Sequence, residues 1–311
     1  MLLQPPRDLR EPAPDDAGVE IEAAADWIEA SVLFSNERAT EPEVIDAIRE
    51  KLIIEDRDKA ERFVADVWRQ LASRRHQCGD GSPFDADYQE IHLRSKSWRE
   101  WPAYAFCLLL SYRPEGTPQR SEKSYNEQGT LFEQLTEAAL AVLLPTWTVH
   151  RTGWSAKKPD LLPAIVEEVA RRLCGDVGNL KRWQRKQTKE LGLDLVCYRE
   201  FGDRRGGFPT FLVQCASGRN FTDKLDEPNE GIWNDLLKVI PQSLPRRAFA
   251  TPFSFPRREF ENHSIQGKCW LLDRMRLLSA SLHLRDWLPD KLGRELAKWC
   301  GQRTKLLPWL K

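Results

Sequence analysis

No charge excess marks this chain. Lysine and arginine together number 47, and so do aspartate and glutamate, so bulk charge selects neither a nucleic acid nor a lipid surface as partner. A local basic patch on a neutral protein still fits nucleic acid. No run of 18 or more apolar residues exists, and "YAFCLLLSY" at 104–112 is far too short to span a bilayer. The opening stretch "MLLQPPRDLREPAPDDAG" lacks the basic start and apolar centre of a secretory signal. Together these absences predict a cytoplasmic protein with no membrane segment. Cys78, Cys107, Cys174, Cys197, Cys215, Cys269 and Cys300 form no CxxC pair, and several lie inside apolar runs. That argues against a zinc site and a disulfide framework and for buried thiols. The five histidines are scattered, with no HExxH. There is no GxxxxGK[ST], no GxGxxG after a strand and no GxSxG, which leaves nucleotide-dependent enzymes and serine hydrolases without support.

What is present suits a folded globular chain. Hydrophobic residues make up 41% and charged residues 30% of 311 residues, enough for one large domain or two ordinary ones. Twelve tryptophans are many. Trp27, Trp68, Trp101, Trp270 and Trp299 stand in apolar stretches, which reads as core filling, with base stacking open to a few.

Residues 1–18, rich in proline and paired acids, read as a flexible tail. Residues 19–115 read as a helical accessory domain. "EPEVIDAIREKL" places Val44, Ile45, Ile48 and Leu52 on one helical face behind Glu41 and Glu43, which suit a helix N-terminus. "DRDKAERFVADVWRQLASRR" repeats the pattern with Ala60, Phe63, Val64, Val67, Trp68 and Leu71, and "CGDGSP" stops it. Residues 116–128 read as a linker or lid. From 129 to 311 the expected order is helix (130–144), helix (161–174), hairpin (193–200 and 208–215 around "GDRRGG"), helix (229–240), two further strands in "RRAFATPFSF" and "KCWLLDRMRLLSA", and a terminal helix in "LPDKLGRELAKWCGQ". That order predicts an α/β domain with a mixed sheet flanked by helices.

The hairpin carries the chemistry. "GLDLV" brings Asp194 into one strand, "FLVQCASG" ends the next on Gln214, and "GTLFEQLTEAAL" sets Glu133 on an amphipathic helix before them. This arrangement resembles the PD-(D/E)XK, or restriction-endonuclease-like, nucleases over about 129–260. The resemblance implies a Mg²⁺- or Mn²⁺-dependent nuclease acting on DNA. Asp194 and Gln214 would bind the ion with help from the Cys215 carbonyl, and Glu133 would assist from its helix. The family's strand lysine falls at Ala216 here, so Lys224 stands in for it. The resemblance also implies a prokaryotic defence or DNA-processing setting. Hard divalent ions take oxygen ligands, and phosphodiester hydrolysis needs an activated water and charge relief at phosphorus. "KRWQRKQTKE" supplies Lys181, Arg182, Arg185, Lys186 and Lys189 around Trp183 for a phosphate backbone.

Plainer readings stand beside each residue. Asp194 can close a turn, Gln214 can be a buried amide satisfied by backbone, and Glu133 can be a solvated helix residue. Lys224, between Asp223 and Asp226, can be ordinary surface, and the basic stretch can be a solvated helix face. Two rivals remain for the whole chain. One is a catalytically degenerate nuclease fold that binds nucleic acid or serves as a protein adaptor through its Trp-rich N-terminal helices. The other is a HEPN-type ribonuclease, suggested only by Arg258 and His263 in an RxxxxH spacing. A homodimer suits cutting of two strands.

Overall fold

The computed structural model describes residues 2–6, 9–12, 17–87, 89–112, 122–153, 162–183, 191–240 and 244–310. In chain order its elements are α1 (Ala17–Ser35), β1 (Ala39–Thr40), α2 (Glu41–Glu50), α3 (Arg57–Cys78), β2 (Phe84–Ala86), β3 (Glu90–Leu93), α4 (Pro102–Ser111), α5 (Glu122–Leu143), β4 (Thr148–Arg151), α6 (Leu162–Arg172), β5 (Asp176–Val177), α7 (Leu180–Trp183), β6 (Leu195–Tyr198), β7 (Thr210–Cys215), α8 (Glu230–Leu236), β8 (Leu237–Lys238), β9 (Arg246–Ala250), α9 (Arg257–Gly267), β10 (Trp270–Leu272), α10 (Arg274–Leu278) and α11 (Asp290–Arg303). They fall into two compact units. The first holds Met1–Glu127, Pro252–Glu259 and Asp273–Lys311, and the second holds Gln128–Thr251 and Phe260–Leu272.

In the first unit, local chemistry starts the helices where the sequence predicts them. Thr40 and Glu43 form a reciprocal capping box on α2, and Asp56 caps α3 by accepting from the Lys59 N–H at 2.8 Å. Helix α1 is unusual because it buries acids. Glu22, Asp26 and Glu29 share one stripe at helical spacing, and all three are buried. Arg74 of α3, itself buried, pairs with Glu22, with Asp26 at 2.9 Å and with Glu29 at 2.8 Å. Arg274 of α10 pairs with Asp26 and donates to Ser111 Oγ at 2.9 Å, while the Tyr104 hydroxyl donates to Glu29 at 2.9 Å. This network ties α1, α3, α4 and α10 together.

Three expectations are corrected here. The accessory region is not purely helical, because β1, β3 and β2 form a small antiparallel sheet. The described part of the supposed tail is docked. Leu3 is buried and bridges Trp309, its N–H donates to Ser31 Oγ at 3.0 Å, and its carbonyl accepts from the Trp27 indole at 2.6 Å. Apolar Leu2, Leu3 and Leu9 supply the burial that proline and charge obscured. The C-terminal residues Asp273–Lys311 belong to this unit rather than to the domain expected over 129–311. The reason is packing: Trp299 of α11 meets Phe106 of α4 edge-on at 4.8 Å.

The second unit is built on a five-stranded mixed sheet of order β10-β9-β7-β6-β4. Strands β4, β6 and β7 form an antiparallel meander, and β9 and β10 add in parallel. One face is covered by α6 and α8. Ile165, Val166, Trp233 and Leu236 pack there against Val196 and Leu212. The Trp233 indole donates to the Leu191 carbonyl at 2.9 Å, which fixes the chain entering β6.

The sequence reading differs in five places. Helix α5 begins at Glu122, inside the expected linker. Strand β4 was not foreseen. The helix expected over 229–240 stops at Leu236, and β8 then pairs with β5. The apolar run expected as a strand gives three strand residues, then α10, because Asp273 accepts from the Arg276 N–H at 2.9 Å and caps a helix. Trp270, expected in the core, is half exposed on β10.

Removing one partner from a buried ion network leaves the others unmatched. Arg74→Met is expected to lower unfolding stability by about 3–5 kcal/mol, read by urea denaturation. A loss below about 1 kcal/mol, the range of an exposed pair, would show that the network does not hold α1 to α3.

Candidate active site

Asp194 immediately precedes β6, whose first residue, Leu195, pairs with Val213 of β7. At this end the ladder changes character. The Asp194 N–H donates to the Val213 carbonyl at 3.0 Å, and the Asp194 carboxylate accepts from the Cys215 N–H at 2.6 Å. The aspartate therefore holds β7 on both sides of Gln214. Its own carbonyl accepts from the Thr152 N–H at 2.9 Å, which ties it to the end of β4 as well.

Burial dominates the electrostatics. Asp194 is 8% exposed. Loss of water pushes its carboxyl up to about 6, against the Cys215 N–H and the Lys224 ammonium, which both favour the charged form. Glu133 on α5 is pushed up to about 8, first by burial and then by the charge of Asp194, with Arg151 opposing. The two carboxyls therefore feel one another, and Lys224 is within electrostatic reach of Asp194. Asp194 at the start of a strand thus acts electrostatically on Glu133 of helix α5 and is acted on by Lys224 of the short 3-10 turn Phe221–Lys224.

Gln214 lies two residues beyond Leu212, on the same pleat face of β7. It is 4% exposed. Its Nε2 stands 3.4 Å from the Cys215 carbonyl, and its Oε1 is buried with no hydrogen-bond partner. A buried amide oxygen without a donor is rare enough to need a reason. Cys215 next to it keeps its thiol protonated, because burial and the Asp194 and Glu133 charges all raise it. Its backbone carbonyl is the oxygen it can offer. Ala216, at the expected lysine position, is buried, and its N–H is bonded to the Ala250 carbonyl at 2.9 Å.

The oxygens at hand suit a hard divalent ion, which is held by one or two carboxylates and keeps several waters. Asp194, Gln214 Oε1 and the Cys215 carbonyl could hold it, with Glu133 near. Among the described residues no three His, Cys, Asp or Glu side chains form a metal-holding group, so the amide, the carbonyl and water would have to complete such a shell.

The remaining sequence candidates are dispersed. Lys181 and Arg182 are exposed on α7, with Arg182 3.5 Å from Asp235. Arg185, Lys186 and Lys189 lie outside the described residues. Arg258 and His263 share α9, where a five-residue separation turns side chains about 140° apart, so the two do not converge on one face.

Two positions not singled out from sequence share the Gln214 corner. A Cβ on Gly192 would stand 2.2 Å from Gln214 Oε1 and 2.5 Å from Glu227 Oε2. The only sequence hint was a glycine two residues before the aspartate. Arg247 of β9 is a third. Its guanidinium donates to the carbonyls of Asp226 at 2.6 Å and Leu225 at 2.8 Å, and so holds the turn that carries Lys224 and Glu227.

An acid whose folded value is raised keeps protons that the unfolded chain has lost, so its contribution to stability falls as pH rises. The window here runs from about pH 4 to about pH 8. In metal-free buffer, Glu133→Gln combined with Asp194→Asn should raise the melting temperature over wild type at pH 8. The gain should shrink towards pH 5. An equal difference at both values would remove the ionised carboxylates as its cause.

No family model matches the chain, and no curated protein matches it. Among solved structures, the restriction endonuclease FokI is similar at 12% identity and a TM-score of 0.20, over 91% of this chain and 47% of the FokI chain. The chain thus spans about half the length of FokI, and a superposition of that quality carries no argument about fold or activity.

Proposed function

We propose that the second unit is a Mg²⁺- or Mn²⁺-dependent nuclease that hydrolyses DNA phosphodiester bonds. The observation that carries this reading is that the charge of buried Asp194 acts on the half-buried carboxyl of Glu133, with Lys224 also acting on Asp194, at the open end of the β6–β7 pair. Burying like charges together is unfavourable, and functional sites are where such arrangements concentrate. One residue before the Cys215 N–H that Asp194 accepts, the buried amide oxygen of Gln214 has no hydrogen-bond donor of its own. The order of Glu-bearing helix, Asp-bearing strand and Gln-bearing strand is also the order on which the resemblance to PD-(D/E)XK nucleases rests.

Each side chain then has a task. Asp194 and Gln214 hold the ion, with Glu133 in support. The ion supplies Lewis-acid relief of charge at the phosphate and lowers the pKa of a bound water. Lys224, partly exposed on its turn, offers an ammonium where negative charge develops on phosphate oxygens, and such a donor is worth about a hundredfold in rate. The basic residues 181–189 give a phosphate-backbone contact, and a defence or DNA-processing role follows from the resemblance alone. Gln214 and Ala216 favour a second reading, in which the fold binds nucleic acid or a partner protein without cutting.

Supercoiled plasmid with Mg²⁺ or Mn²⁺ separates the two. Wild type should nick or linearise it, Asp194→Ala should abolish cutting, and Lys224→Ala should slow it about a hundredfold. Equal cutting by wild type and Asp194→Ala would reject this site. No cutting by wild type, with DNA still shifted on a gel, would favour the binding reading.

A further inference from the structure

Trp270 is a large side chain left in water, 53% exposed on β10. It does not stand alone. Its ring lies 4.2 Å from that of Phe211 on β7, with 32° between the planes, and Phe211 stacks on Trp147 at 5.4 Å and 26°. Trp147 and Phe211 are themselves half-buried. Trp147 leads into β4, and β4 and β10 are the two edge strands, so the rings form a row running across the sheet. Ala248 of β9 pairs with Trp270, and its small side chain lets the Trp270 ring reach Phe211 over that strand. The row lies at the end of the sheet away from Asp194, because Thr148 pairs with Tyr198 whereas Arg151 pairs with Leu195.

The strand residues that flank the row on the same face are basic. Arg246 of β9 pairs with Phe211 of β7, and paired residues share a face. Arg199 stands two residues past Cys197, the β6 partner of Phe211, and so alternates to that face as well. Its N–H donates to the Pro209 carbonyl at 3.2 Å, which keeps the register. Both arginines are exposed, and among the described residues neither has an ion-pair partner. Glu200, the next residue, alternates to the opposite face.

Rings alone would suit any apolar partner. Unpaired arginines beside them select one that carries anions. Every base has a π-face, so aromatic platforms take unpaired bases of any sequence while cationic side chains track the phosphates. We propose that Trp147, Phe211 and Trp270, with Arg199 and Arg246, form a platform for a single-stranded nucleic acid. A base stacks on the exposed Trp270 ring, and the two arginines meet the backbone. A duplex keeps its base faces covered and gains nothing from the rings. The platform lies apart from Asp194 and does not depend on the nuclease reading.

The test is fluorescence anisotropy of labelled oligothymidine, oligouridine and a duplex of equal length, with the full chain in metal-free buffer. Trp270→Ala should weaken single-strand binding about tenfold and leave duplex binding unchanged. Trp270→Leu keeps an apolar side chain without the π-face and should lose as much, whereas Trp270→Phe should retain most of the affinity. Arg246→Gln should lower the slope of log affinity against log salt by about 0.7. Loss for either oligonucleotide supports the platform and shows which sugar it accepts. Melting confirms that each variant is folded, and Trp270→Leu beside Trp270→Phe carries the test if Trp270→Ala is not. Wild-type affinity in Trp270→Ala, or an equal loss on duplex, overturns the platform. Wild-type affinity in Trp270→Leu overturns it in favour of an apolar surface for a protein. No single-strand binding by wild type overturns it too, while Asp194-dependent plasmid cutting would leave the nuclease reading standing.

Discussion

A carboxylate taken out of water needs a countercharge or hydrogen bonds, or it holds its proton. The two units meet this demand in opposite ways. In the first, Glu22, Asp26 and Glu29 on α1 face the guanidiniums of Arg74 and Arg274, so several helices are held by opposite charge. In the second, Asp194 has a backbone N–H and a more distant ammonium, and Glu133 has Arg151 within electrostatic reach. The first sets two guanidiniums against three carboxylates. The second is short of positive charge, and that shortage is what gives the β6–β7 end a chemical character that the rest of the sheet lacks.

The shortage depends on the sheet being well made. β7 lies between an antiparallel and a parallel neighbour, so its backbone is held along its length. Asp194 takes the Cys215 N–H at the last rung, which locks the carboxylate in a fixed place. Trp233 and Arg247 anchor the loops on either side. A rigid frame around an unbalanced charge is the condition under which binding an ion costs little reorganisation.

Much of this was legible in the sequence, and the gaps have physical causes. The hairpin and its Asp194 and Gln214 stood out because strand alternation, a glycine-rich turn and polar strand ends coincide. Helices α2 and α3 stood out because their caps and apolar spacing agree. Strand β4 did not, since "TVHR" lies at a sheet edge, is mostly half exposed and shows no alternation. The run around Trp270 is apolar at both periods, so only the Asp273 cap separates strand from helix. Leu2 and Leu3 were hidden among prolines and charges. Glu227 and Gly192 lie 35 residues apart, and only the tertiary approach of their two loops joins them. The Arg74 network was equally out of view, because α1 reads as an ordinary helix until its acids are seen to face inward.

That network also sets how the molecule answers to heat. The cost of keeping ions out of water shrinks as temperature rises, whereas apolar burial gains nothing comparable. The helical unit leans on a buried cluster of five charged side chains, Glu22, Asp26, Glu29, Arg74 and Arg274. The sheet unit leans on aliphatic and aromatic packing around Trp233. On warming, the desolvation cost borne by the charged cluster falls, a change that the apolar packing of the sheet unit does not share.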